Sequence, residues 1–161
     1  TNSTFSYNRA NQSTGAADIL LNNGRLNLRN NILANATYGD FNCKRTGSAT
    51  VGFSPNKSNI IEAGNCGNNN NRVTFDPLLG PFDTVGGYFP LTVNSVSAID
   101  KGYLPQCPNT SQNGVARPVG VSCDLGSFEY AAGGSAAGIS AELQAVVDSQ
   151  NSLIIPRPRP N

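Results

Sequence analysis

Two stretches near the start of this chain repeat each other at a distance that few architectures use. NSTFSYN (Asn2–Asn8) aligns with NNILAN (Asn30–Asn35) at an offset of 28 residues, which sets Asn2 on Asn30, Thr4 on Ile32 and Phe5 on Leu33. A repeat of about 20 to 50 residues is what a solenoid coil requires, because each coil buries its apolar face only against its neighbours. Leu26, Leu28, Asn30 and Ile32 alternate with Asn27, Arg29 and Asn31, the period-two pattern of one strand with a single buried face. Asn2, Thr4 and Ser6 alternate with Ser3 and Phe5 in the same way, and ADILLNNG (Ala17–Gly24) supplies a further short strand and a turn. Asn2 stacked on Asn30 makes an amide ladder, either inward or at a corner. The Asn pairs at 22–23 and 30–31 and the run Asn68–Asn71 fit tight turns and stacked amides better than a helical bundle. A raw coil face invites edge pairing, so the pattern at residue 1 predicts the C-terminal part of a larger protein, or an end covered by another chain.

What the chain lacks narrows its chemistry. It has no His, Met or Trp, and without His there is neither a Ser-His-Asp nor a Cys-His mechanism, nor a histidine metal site. The net charge is +1 and no Lys/Arg cluster precedes the last five residues, which argues against nucleic-acid binding. No stretch of about 18 apolar residues is present to span a membrane. The ten carboxylates form no D-D, D-x-D or E-x-x-E constellation, so the sequence is read as that of a non-enzyme without metal or cofactor. Asn2, Asn11, Asn35, Asn56 and Asn109 begin formal N-x-[ST] triplets, which are read as chance matches in a chain rich in Asn, Ser and Thr.

Cys43, Cys66, Cys107 and Cys123 allow three pairings, and none belongs to a C-x-x-C pair. The sequence-local pairing, Cys43–Cys66 with Cys107–Cys123, is favoured because each pair brackets a turn-rich segment. Each bridge then contributes about 3 kcal/mol by loop closure and implies an oxidising compartment. The alternatives are four buried free thiols in a cytosolic protein, or a four-thiolate zinc site whose spacings would be long and irregular.

DPLLGPF (Asp76–Phe82), LTVNSVSAID (Leu91–Asp100) and CDLGSFEY (Cys123–Tyr130), with SNIIEAGNC (Ser58–Cys66) ahead of them, resemble together the closing segment of secreted right-handed parallel β-helix proteins of the choice-of-anchor Q type. The resemblance covers residues 1–130. It implies an all-β, right-handed parallel β-helix with an irregular, disulfide-stapled end-cap and an exported, bacterial cell-surface location. Strands are expected at Asn59–Glu62, Phe75–Leu79 and Leu91–Ile99, with turns at Gly80-Pro81 and Gly86-Gly87. In that reading Ala98 and Ile99 pack inward and Asp100 accepts backbone N–H bonds in the following turn. Asp124 and Glu129 bond Arg117 or turn amides, and Leu125 and Phe128 plug the end of the core. The family's D-x-R-G-x-x-R-P stretch stands here as SQNGVARP (Ser111–Pro118), with Ser111 and Asn113 at the acidic and first basic positions. The Cys107–Cys123 bridge is expected to replace a lost Asp–Arg pair there.

AAGGSAAG within residues 131–138 has the composition of a linker. In ISAELQAVVDSQ, Ile139, Leu143, Val146 and Val147 fall on one helical face, and so short a helix needs something to dock on. Leu153, Ile154 and Ile155 precede Pro-Arg alternation that favours an extended polyproline II tail. Residues 139–161 therefore read as a docking segment, with Leu143, Val147, Leu153, Ile154, Ile155, Arg157 and Arg159 facing a protein partner or a second copy. The function expected is a non-catalytic structural or interaction subunit of an exported surface assembly. The alternative is a surface adhesin, or a glycan-binding or carbohydrate-active β-helix with its active face upstream of residue 1.

Overall fold

The computed structural model describes residues 1–11, 15–37, 41–53, 58–67 and 74–132. The described chain is all-β apart from a 3₁₀ turn at Leu104–Gln106. The strands are β1 (Thr4–Ser6), β2 (Ile19–Leu21), β3 (Arg25–Leu28), β4 (Asn31–Ala34), β5 (Cys43–Arg45), β6 (Thr50–Phe53) and β7 (Asn59–Ile61). They pair in parallel as β1-β4-β7, β2-β5 and β3-β6. Thr4 pairs with Ile32 and Phe5 with Leu33, as the alignment of the two stretches predicts, and the register continues to Ile60 and Ile61. Each sheet thus pairs a strand with its counterpart one repeat later.

The stretch expected to form one strand through Asn30 is broken there. Asn30 has φ 54, and Asn2, at the matching position 28 residues earlier, has φ 53. A left-handed residue cannot continue a strand, and Asn tolerates that conformation better than most residues. Tyr7 and Asn35, at φ 55 each, close β1 and β4 in the same way, so a left-handed corner bounds each of these strands on both sides. Asn30 Nδ2 donates to Asn2 Oδ1 at 3.2 Å, the expected corner ladder.

Further polar ladders run up the other corners. Asn59 Oδ1 accepts from the Asn31 N–H at 3.0 Å, and Asn31 Oδ1 accepts from the Ser3 N–H at 3.1 Å. Asn42 Nδ2 donates to Asp18 Oδ2 at 2.9 Å, and Asn42 Oδ1 accepts from the Ala63 N–H at 3.2 Å. Thr46 Oγ1 donates to Asn22 Oδ1 at 2.8 Å. The abundance of asparagine follows: each amide pairs with the next coil where the turning backbone cannot.

In the β1-β4-β7 sheet, β4 and β7 are buried on both faces, while Phe5 of β1 is exposed. Leu33 and Ile61 pack with Leu28, Cys43 and Cys66 in one apolar cluster, joined by Ile19, Leu26 and Val51 from the other two sheets. Ile32, Ala34 and Ile60 point the opposite way, into a second cluster with Tyr88, Leu91, Ala98, Leu125 and Phe128. Residues 74–130 therefore lie along the flank of this sheet. Leu125 and Phe128, expected to plug the end of the stack, are buried as predicted but cover the sheet's outer face. The Gly126 N–H donates to Asn30 O at 2.8 Å, and a Cβ on Gly126, at φ +83, would fall 2.4 Å from Thr4 Oγ1. Only glycine lets the flank approach this closely.

β7 forms where Asn59–Glu62 is predicted, one residue shorter. Neither Phe75–Leu79 nor Leu91–Ile99 is a strand. Pro77 has no N–H to give a ladder, Leu78 has φ 51, and the Asp76 carboxylate caps the Leu78 N–H at 2.7 Å. In the second stretch Ser95 Oγ accepts from the Thr92 N–H and donates to Leu78 O, while the Ala98 and Ile99 N–H groups turn back to Ser95 O. Local side-chain bonds win over the sheet. Ala98 is buried and Ile99 half-buried against the same cluster, so the inward packing holds without the strand. Gly80-Pro81 forms no turn; the Gly80 N–H instead reaches Pro90 O at 2.8 Å. The Gly86-Gly87 turn is present, closed by an antiparallel bridge between Asp83 and Tyr88.

Candidate functional site: a buried ion cluster and its staples

The four cysteines form the local pairing, Cys43–Cys66 and Cys107–Cys123, with S–S distances of 2.04 and 1.98 Å. Cys43, in β5, and Cys66 are buried inside the coil core. Cys107–Cys123 ties the 3₁₀ turn to the CDLGSFEY segment. Asn30 holds that junction to the coils, with Oδ1 accepting from the Tyr103 N–H at 2.7 Å. Two disulfides fit a protein exported to an oxidising compartment. Among the described residues no helix is long and apolar enough to cross a membrane.

Arg117, Asp124 and Glu129 converge, and their exposures of 8%, 1% and 1% make this a buried cluster. Arg117 Nε lies 3.0 Å from Glu129 Oε2. Nη2 donates to the carbonyls of Gly126 and Phe128, so the guanidinium fastens the turn before Glu129 as well as the carboxylate. Each carboxylate oxygen in turn accepts a backbone N–H. Asp124 takes those of Asp100 at 2.8 Å and Tyr130 at 2.6 Å. Glu129 takes those of Val119 and Asp124, both at 2.9 Å. Asp100 stands at the margin with φ 58. Its carboxylate accepts from the Ser122 N–H at 3.3 Å, across the loop rather than in the turn that follows it.

Two neutral residues, Ser111 and Asn113, close the same loop. Ser111 Oγ donates to Asn113 Oδ1 at 2.6 Å, and Asn113 bonds both the N–H and the carbonyl of Glu129. The loop is thus held by Ser111 and Asn113 as well as by the expected Cys107–Cys123 bridge. The sequence also missed the Asn31–Asn59 ladder, although the NN and SN pairs that open the two strands sit at the same offset of 28 as the Asn2–Asn30 pair. Leu143, Val147, Leu153, Ile154, Ile155, Arg157 and Arg159, like the linker beyond residue 132, lie outside the described residues.

Burial pushes the Asp124 carboxyl up to about 6. The Tyr130 and Asp100 N–H groups oppose this, while the negative charges of Glu129 and Asp100 add to it. Burial also lowers Arg117, with Glu129 and Asp124 pulling the other way. A raised carboxyl makes the folded chain hold a proton that the unfolded chain has already released. Its contribution to stability is therefore greatest below the unfolded value of about 4, declines as pH rises to about 6, and is level above that. Asp18, also raised by burial, acts in the same sense. Urea midpoints should be higher at about pH 4.5 than at about pH 7, and Asp124→Asn should flatten that difference. A midpoint that climbs over the same interval would contradict the direction.

A second feature lies between β1 and the 82–89 loop. Tyr7, Phe89 and Phe82 follow one another with ring centroids 5.5 and 4.9 Å apart, beside a groove of about 260 Å³. YFP at Tyr88–Pro90 after a Gly-Gly turn was visible in the sequence, but only the fold brings Tyr7 alongside. Compared with protein-family models, curated proteins and solved structures, the chain finds no match.

Proposed function

We propose that the chain is a block of an exported, bacterial parallel β-helix of the choice-of-anchor Q kind, serving as a non-catalytic structural and interaction subunit of a cell-surface assembly. One observation carries the non-catalytic part. In the buried cluster all four carboxylate oxygens of Asp124 and Glu129 are taken by backbone N–H groups, whereas acid–base catalysis needs a carboxyl within hydrogen-bond reach of substrate. These ions fasten loops. The parallel pairing of three sheets, each with its counterpart one repeat later, supports the coil reading. The disulfides suit a protein working outside the cell.

Docking falls to residues 139–161, where Leu153–Ile155 supplies apolar, β-prone contacts and Arg157 and Arg159 supply charge. A chain lacking residues 153–161 should keep the melting transition of the full chain and lose retention in the cell-surface fraction of the producing cells. Equal retention of the two chains would remove the docking role.

A further inference from the structure

Phe5, Tyr7, Phe82 and Phe89, at the groove beside β1, belong to neither buried apolar cluster. Tyr7 is 56% exposed and Phe82 49%, although both stack on Phe89. Phe5, at 36%, lines the same groove. Apolar rings left this open, side by side, leave an exposed patch of the kind that marks a binding surface.

The polar groups around the rings are held in place, and each keeps capacity for a further bond. Gln112 Nε2 donates to Gly87 O at 3.0 Å, which orients its carbonyl Oε1. Asn8 Nδ2 donates to Asp18 Oδ1 at 2.8 Å. Ser6 Oγ accepts from Asn35 Nδ2 at 3.1 Å, and so has its own hydrogen to give. None of the residues lining the groove is charged; Tyr7 stands at its edge, stacked on Phe89, and also borders a neighbouring pocket that contains Glu62.

This composition selects a ligand class. An anion would find no cation, and a cation no carboxylate, in the lining. A purely apolar ligand would strip water from Asn8, Gln112 and Ser6 and return no hydrogen bonds. A sugar ring has an apolar C–H face that packs on an aromatic ring and a rim of hydroxyls that pairs with amides and hydroxyls. Successive rings in the protein offer successive platforms to a chain of such units. We propose that the groove between β1 and the 82–89 loop binds a neutral polysaccharide, with sugar faces stacked on Tyr7, Phe89 and Phe82 and hydroxyls bonded to Asn8 and Gln112. The site is independent of the tail docking proposed above, and either can fail without the other.

The test is depletion of the full chain from solution by insoluble polysaccharides: microcrystalline cellulose, insoluble xylan and curdlan as neutral probes, and polygalacturonate beads as the anionic one. At least one neutral probe should bind, and binding should persist at about 0.5 M salt, where screening acts within a few ångström. Tyr7→Ala and Phe82→Ala should each weaken it by about tenfold or more, the range for a central aromatic anchor. Val121→Ala, at an 85% exposed residue outside the groove, should bind like the parent. Gln112→Glu keeps every ring and adds a charge to the groove, and should weaken binding even if a ring variant fails to fold. Failure of all three neutral probes would overturn the proposal. So would binding to polygalacturonate alone that salt abolishes, or unchanged binding by a folded Tyr7→Ala/Phe82→Ala double variant.

Discussion

Arg117→Ala should cost roughly 3–5 kcal/mol of folding stability, the range for removing one partner from a buried ion pair. The pair is fully enclosed, with the two side chains 0% and 1% exposed. Truncation strands Glu129 beside Asp124 without a counter-charge, and it releases the Gly126 and Phe128 carbonyls that Arg117 holds. Those carbonyls flank the residues that lie against Thr4 and Ile32, so the loss spreads into the contact between flank and coils. Arg117→Lys should recover only part, because one ammonium cannot reproduce a planar fork that meets a carboxylate and two carbonyls together. Urea unfolding of the three proteins at neutral pH gives the comparison. A loss under about 1 kcal/mol for Arg117→Ala would mean that water reaches the cluster and that it does not organise the flank.

The second large effect lies in the sulfur bridges. Cys43→Ala/Cys66→Ala should destabilise by roughly 3–5 kcal/mol, combining lost loop closure with a void where two fully buried sulfurs sat among Leu28, Leu33 and Ile61. Cys107→Ala/Cys123→Ala should cost less, about 2–3 kcal/mol, because Cys107 is only half-buried, although Cys123 is enclosed. The same difference in access orders the chemistry. A thiol reductant under native conditions should open Cys107–Cys123 first and reach Cys43–Cys66 only on unfolding. Mass spectrometry of alkylated chains sampled over time reads that order directly. Simultaneous opening of both bridges would show that the coil core is accessible to solvent.

How far the sequence reached depends on the range of the interaction involved. The pairing of Thr4 with Ile32 was legible because one offset carries both an apolar alternation and an asparagine match. The gathering of Arg117, Asp124 and Glu129 was expected only in part, as Asp124 and Glu129 bonding Arg117 or turn amides, and the three converge as Arg117 with Glu129 and both carboxylates with backbone N–H groups. The break at Asn30 was hidden because a left-handed residue leaves the period-two alternation intact on either side. The expected strands at Phe75–Leu79 and Leu91–Ile99 failed where Asp76 and Ser95 bonded locally, a choice that β-prone side chains do not disclose. The lateral placement of Leu125 and Phe128 required knowing that Ile32 and Ile60 need a cover on their own side of the sheet. Period two assigns two faces to a strand but does not say what lies over each.

The corners offer one more consequence. Matched positions lie 28 residues apart in the β1-β4-β7 sheet, but 24 apart at the Asp18–Asn42 rung and 25 at the Asn23–Ser48 rung. The spacing changes while every strand keeps its partner, so the connecting loops absorb the surplus. Among the connections between strands the longest, residues 7–18, leads from β1 to β2, whereas β3 and β4 are separated only by Arg29 and Asn30. Foreign sequence grafted after the exposed Asn11 should be tolerated, while a single residue added between β3 and β4 would displace the amide that joins coil to flank. Two connections of one coil thus differ sharply in what an insertion would disturb.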